Sequence, residues 1–156
     1  MKATAAALCA ALLLGSGLAL AQGKPMVRVV LEGVGQEASA CGIRAAAIES
    51  LAVQVLNKHG IQVSADAGHP YLYLNINAYR VMQGSRFVGC TTRLGVSVRA
   101  SLNANPLVGA IRSKAGAYAV LCDAARLLSG SQRDVAGAVT KAFEEDIRSC
   151  LGQLTY

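Results

Sequence analysis

Residues Tyr71 to Val81 read YLYLNINAYRV, with Leu72, Leu74, Ile76 and Ala78 on one parity and Tyr71, Tyr73, Asn75, Asn77 and Tyr79 on the other. Successive side chains of a strand point to opposite faces, so this alternation commits the chain to a sheet with one face against a core. The second parity is unusual. Tyrosine and asparagine exceed what a merely solvated strand requires, and the residues that share their face decide what it can do.

A helical layer to cover the apolar parity is legible on both sides of this strand. From Ser39 or Ala40 to His59, residues Ile43, Ala47, Ile48, Leu51, Ala52, Val55 and Leu56 recur at threes and fours, and Gly60 supplies the stop. A second stripe, Val135, Val139, Ala142, Phe143, Ile147, Cys150, Leu151 and Leu154, follows Ser131-Gln132-Arg133-Asp134, a capping box with Asp in place of Glu. Met26 to Glu32 alternates Val27, Val29 and Leu31 against Arg28, Val30 and Glu32, as a strand does. Ile61 to Ser64 is a short strand candidate, and Ala65 to Pro70 has the composition of a reversal.

After a tight connection at Gln83-Gly84-Ser85, the chain returns through Arg86 to Leu102. Val88, Cys90, Leu94, Val96, Val98, Ala100 and Leu102 share one parity there, and Thr91, Arg93, Ser97, Arg99 and Ser101 the other. A loop around Asn103 to Gly109 leads to a further strand from about Lys114 to Cys122, where Tyr118 and Val120 compete with Ala117, Ala119 and Leu121 for the outer face. The predicted order is β-α-β-β-β-β-α: an α+β two-layer sandwich, its mainly antiparallel sheet carrying two helices on one face and leaving the other open.

The beginning of the chain reads as an export signal: Lys2 as the positive region, Ala5 to Leu14 as the apolar run, and Ala19-Leu20-Ala21 before a cut at Gln22. Residues 1–21 are thus expected to be removed, leaving 22–156 as a single domain in the periplasm or outside the cell. Its loss takes Lys2 and no acid, so the formal charge falls from +6 to +5. No acidic residue lies between Asp66 and Asp123, an interval holding Arg80, Arg86, Arg93, Arg99, Arg112 and Lys114.

Cys41, Cys90, Cys122 and Cys150 remain after cleavage, and an even count in an exported chain favours disulfides. If Ala65 to Pro70 reverses the chain, the helices run antiparallel, which favours Cys41 with Cys150 and Cys90 with Cys122. A reactive Cys41 at a helix N-terminus is the chemical alternative.

The stretches LNKHGIQV, YLYLNINAYRV, GCTTRLGVSVRASL and DVAGAVTKAFEEDI, in this order, resemble small bacterial envelope domains. These include the lipopolysaccharide-assembly lipoprotein and the N-terminal domain of the Tol-Pal translocation protein. The resemblance implies a periplasmic accessory or binding role; this chain has no cysteine at the proposed cut through which a lipoprotein would be anchored.

Catalytic signals are sparse. Gly33-x-Gly35-x-x-Ala38 imitates a dinucleotide fingerprint but lacks a following parallel strand ending in an acid. His59 and His69 have no nucleophile-and-carboxylate pattern, Glu144-Glu145-Asp146 reads as a solvated helix face, and no spacing implies a metal or cofactor. The expectation is a non-enzymatic protein whose open face, with Tyr71, Tyr73, Asn75, Asn77, Tyr79, Arg93, Arg99 and Tyr118, binds an anionic envelope component or an envelope protein. Lipopolysaccharide, anionic lipid and glycan all fit, because tyrosine offers apolar area with a hydroxyl and arginine a fork for phosphate or carboxylate. The alternatives are strand-favouring residues that merely cover one another, a self-associating structural component or homodimer, and a small envelope hydrolase. Nucleic acid is disfavoured by destination, and inhibition of a cationic lysozyme by charge.

Overall fold

The computed structural model describes residues 24–101 and 118–154; the expected export segment 1–21, Leu102, and the expected loop 103–109 and strand residues 114–117 lie outside the described residues. The order is β1 (Met26–Glu32), α1 (Gln36–Ala40), α2 (Ala45–Lys58), β2 (Gln62–Val63), β3 (Tyr71–Gln83), β4 (Arg86–Ser101), β5 (Tyr118–Gly130) and α3 (Gln132–Gly152). The strands form one mixed, mainly antiparallel sheet in the order β2-β1-β3-β4-β5, with the helices on one face. This is the α+β sandwich that the periodicities predict.

Leu72, Leu74 and Ile76 of β3 are fully buried, as are Leu94 and Val96 of β4, against Ile48, Val55 and Leu56 of α2 and Val139, Phe143 and Ile147 of α3. Each such aliphatic side chain contributes about 1.5–3 kcal/mol by leaving water. Ser131 caps α3 by accepting from the Asp134 amide at 3.3 Å, as the capping box predicts. Gly60, at φ 74, follows the last residues of α2.

Five sequence expectations are corrected. The first helix is two: α1 starts earlier, at Gln36, and Gly42 at φ 79 interrupts the chain before α2. Segment 64–70 does not reverse the chain. β2 and β3 both run parallel to β1, on its two sides, with Val27 opposite Val63 and Arg28 opposite Tyr71. The Ser64 amide donates to the Val27 carbonyl at 3.0 Å and the Arg28 amide to that of Pro70 at 2.9 Å, so the chain crosses β1 and continues in its direction.

That crossing inverts the cysteine pairing. β1, β2, β3 and β5 run one way, so α2 and α3 run alike, and the start of α3 meets the segment just before α2, where Gln132 Nε2 donates at 2.8 Å to the carbonyl of Ala40, the last residue of α1. Cys41, the C-cap of α1 just ahead of α2, therefore bonds Cys90 near the start of β4, and Cys150, at the foot of α3, bonds Cys122 of β5. The Cα separations are 6.0 and 5.5 Å, within the span that a disulfide bridges. Cys41 is no free thiol.

β5 extends eight residues past the expected end at Cys122, to Gly130. Its inward Arg126 reaches α3, where Nε donates to Asp146 Oδ1 at 2.7 Å and Nη1 to Glu145 Oε2 at 2.9 Å. Asp146 is thus buried at 3% exposure, and the reading of Glu144-Glu145-Asp146 as a solvated face fails there. Burial of this carboxylate is tolerable because a guanidinium meets it.

Candidate functional site: the open face of the sheet

The outward parity of β3 is as predicted: Tyr71, Tyr73, Asn75 and Asn77 are half-buried and Tyr79 is exposed, while their neighbours Leu72 to Ala78 are in the core. The register of β4 places Arg99 opposite Tyr71, Ser97 opposite Tyr73, Gly95 opposite Asn75 and Arg93 opposite Asn77. On the other flank Arg28, Val30 and Glu32 lie opposite Tyr71, Tyr73 and Asn75.

A register shift between Val98 and Arg99 settles the facing of β5. Val98 pairs with Cys122 but Arg99 with Val120, leaving Leu121 as the extra residue. One extra residue reverses the alternation. Tyr118 and Val120 before it share the outer face with Asp123, Ala125, Leu127 and Ser129 after it. No single parity describes this strand, which is why its sequence supports two facings.

These strands enclose a shallow basin of about 250 Å³ lined by Tyr73, Asn75, Arg93, Gly95, Ser97, Arg99, Asp123 and Ala125. Gly95 and Ala125 form a low floor between Asn75 and the two arginines, since glycine adds nothing above the backbone and alanine one methyl. The Arg99 guanidinium lies 3.8 Å from the Tyr73 ring centroid and 4.9 Å from that of Tyr118, and its Nε donates to Ser97 Oγ at 2.8 Å. Two rings and one hydroxyl hold this long side chain, with each cation–π contact worth about 0.5–1 kcal/mol at an exposed site. Among the described residues no carboxylate pairs with Arg93 or Arg99.

The tyrosines and asparagines also bond along the strand. Asn77 Nδ2 donates to Asn75 Oδ1 at 2.5 Å, Asn75 Nδ2 approaches the Tyr73 hydroxyl at 3.5 Å, and that hydroxyl donates to Glu32 Oε2 at 2.5 Å. The bond to Glu32, followed by burial, raises the Tyr73 pKa above its ordinary value, so the phenol remains a neutral donor near neutrality.

The basin therefore gathers Tyr73, Asn75, Arg93 and Arg99 of the sequence-predicted residues, and Tyr118 backs Arg99. Tyr71 lies under Arg28 at 5.4 Å, and Tyr71, Asn77 and Tyr79 are not among the basin's lining residues. Gly95, Asp123, Ala125 and the flanking Glu32 are additions. Asp123 and Glu32 make the face mixed in charge, although the chain between Asp66 and Asp123 is free of acids.

Two other sequence signals resolve into local structure. Ser64 Oγ lies 2.9 Å from His69 Nδ1, and the nearest Asp66 oxygen is 3.8 Å from that same nitrogen. A relay needs hydroxyl and acid on opposite ring nitrogens, so this cluster is no hydrolytic triad. Asp66 Oδ1 instead accepts from the Gly68 amide at 2.8 Å and Ser64 Oγ from the Asp66 amide at 3.0 Å, shaping the crossover. After Gly33 and Gly35 a parallel strand is present, contrary to expectation, but β2 has two residues and neither is acidic. Gly33 faces the Ile76 carbonyl of β3.

An α+β sandwich with an arginine-and-tyrosine basin on the sheet face opposite its helices is the class that fold and site define. No protein-family model and no curated protein matches the chain. Among solved structures it is similar to a minor lipoprotein from Acinetobacter baumannii at 12% identity and a TM-score of 0.41, covering 83% of this chain and 91% of that one. It is also similar to rare lipoprotein B from Shewanella oneidensis at 10% identity and a TM-score of 0.37, covering 80% and 91%.

Proposed function

We propose that this chain is an exported, non-enzymatic envelope protein that holds an anionic, hydroxyl-bearing partner in the basin on its open sheet face. The carrying observation is Arg99, fixed between Tyr73 and Tyr118, with Arg93 lining the same basin and no carboxylate of the described residues paired to either. A guanidinium already held in place loses little freedom when it binds phosphate or carboxylate, so more of the contact energy remains as affinity. Asn75 and Asp123 offer partners for hydroxyls or an amine around that anion. A phosphate- or carboxylate-bearing glycan or lipid headgroup of the envelope combines these features.

Export of the domain 22–156, with 1–21 as its signal, is part of this reading. The two disulfides support it, because such bonds persist in oxidising compartments.

Binding to lipopolysaccharide or anionic vesicles should weaken as salt rises, because screening shortens the reach of exposed charges. Arg93→Ala with Arg99→Ala should reduce affinity by about a hundredfold or more, given roughly 1.5–3 kcal/mol for each hydrogen bond to a charged group. Titration at low and high salt measures both effects. Affinity that ignores the double replacement would remove the basin from consideration.

A further inference from the structure

Among the described residues β5 is the last strand of the sheet, and it ends that sheet differently from β2 at the opposite side. β2 has two residues, too few to template a neighbour, whereas β5 has thirteen. An edge strand leaves alternate N–H and C=O groups without a ladder partner, and proteins blunt such edges with prolines, lysines, bulges or brevity. β5 contains no proline or lysine, and its register is regular from Cys122 to Gly130. Tyr118, Val120, Leu121 and Leu127 are among the large apolar side chains left exposed, Leu127 at 70%.

We infer that a second copy of this chain pairs antiparallel with β5 along Cys122–Gly130, joining two sheets into one across a two-fold axis. The choice of a second copy rests on charge. A groove of about 240 Å³ separates β5 from α3, and Arg126, Lys141 and Glu145 line it with Leu128. Asp146 sits behind them, bound to Arg126.

Two cations thus meet two acids in this patch, while the whole chain carries +6. A two-fold contact sets a patch against itself, so one of a single sign would repel and a balanced one does not. Lys141 lies 4.0 Å from Glu145 of its own chain, and the two-fold axis brings this pair against its copy so that each lysine also meets the other chain's Glu145, while pairing covers Leu127. The arrangement is independent of the proposed ligand and leaves the basin open. Because Asp123 and Ala125 belong to both basin and edge strand, the two basins come to lie on either side of the axis.

The test is the mass of the purified, oxidised protein by light scattering across a dilution series. It should move between one and two chain masses. Leu127→Lys and, separately, Lys141→Glu, which is 81% exposed and free to change without unfolding the chain, should each raise the dissociation constant at least tenfold. Hydrogen exchange gives a readout without replacements: amides within Cys122–Gly130 should gain protection as concentration rises. A monomer at every concentration overturns the inference. So does a dimer that both replacements leave intact, or one that Tyr73→Ala dissociates while the edge replacements do not.

Discussion

Gly33→Ala should lower the stability of this protein by about 4 kcal/mol, from roughly 1–3 kcal/mol of backbone strain and about 1–3 kcal/mol of forced displacement. Gly33 has φ 83, and a Cβ there would land on the Ile76 carbonyl oxygen, which belongs to a central strand and cannot swing aside. Two neighbouring glycines separate the contributions. Gly60 has φ 74 with no atom near the Cβ position, so Gly60→Ala should cost the strain alone, about 1–2 kcal/mol. Gly35 has neither constraint but caps α1, so its replacement by alanine should cost only the cap preference, about 0.5–1 kcal/mol. Urea unfolding of the three variants orders them, and equal losses at Gly33 and Gly60 would contradict the close approach. The residue before Gly33 is Glu32, which receives the Tyr73 hydroxyl, so the same tight turn sets one flank of the open face.

Replacing Cys41 and Cys90 by serine should cost about 4 kcal/mol, and replacing Cys122 and Cys150 about 3.5 kcal/mol, from the loop entropy that each bond removes from the unfolded chain. The order follows from sequence separations of 49 and 28 residues. Both losses are comparable with the whole stability of a domain this size, about 5–15 kcal/mol. Peptide mapping without reductant should recover the 41–90 and 122–150 pairs, and thermal melts of the two double variants should rank them. Recovery of 41–150 or 90–122 would mean that segment 64–70 reverses the chain after all.

The limits of the sequence have local causes. β3 is legible because its outward residues lie opposite outward residues of β4 with no irregularity from Tyr71 to Val81. The stripe of α3 is legible because its capping serine and its buried side chains agree. β5 is not, since Leu121 shifts the parity and Asp123-Ala124-Ala125-Arg126 has little intrinsic preference for a strand; pairing with β4 decides its conformation. Losing β5 beyond Cys122 conceals Asp123 at the basin and Arg126 behind Asp146. The cysteine pairing failed for another reason: Asp66, Gly68 and Pro70 serve a crossover as readily as a reversal, and only the register on both sides of β1 distinguishes them.

The central claim concerns a basin whose floor includes Gly95, and that residue offers its most direct test. A side chain there would rise beside Asn75, whose Cβ lies 3.8 Å from the Cβ position, an ordinary contact, and φ requires no glycine. Gly95→Ile should therefore fill the basin and suit the strand, keeping or raising the melting temperature while every charge stays in place. Titration of lipopolysaccharide against this variant should show affinity reduced at least tenfold relative to the natural protein. A folded Gly95→Ile protein that binds as tightly as the natural one would contradict the account, because the partner would then have no use for the space above Gly95.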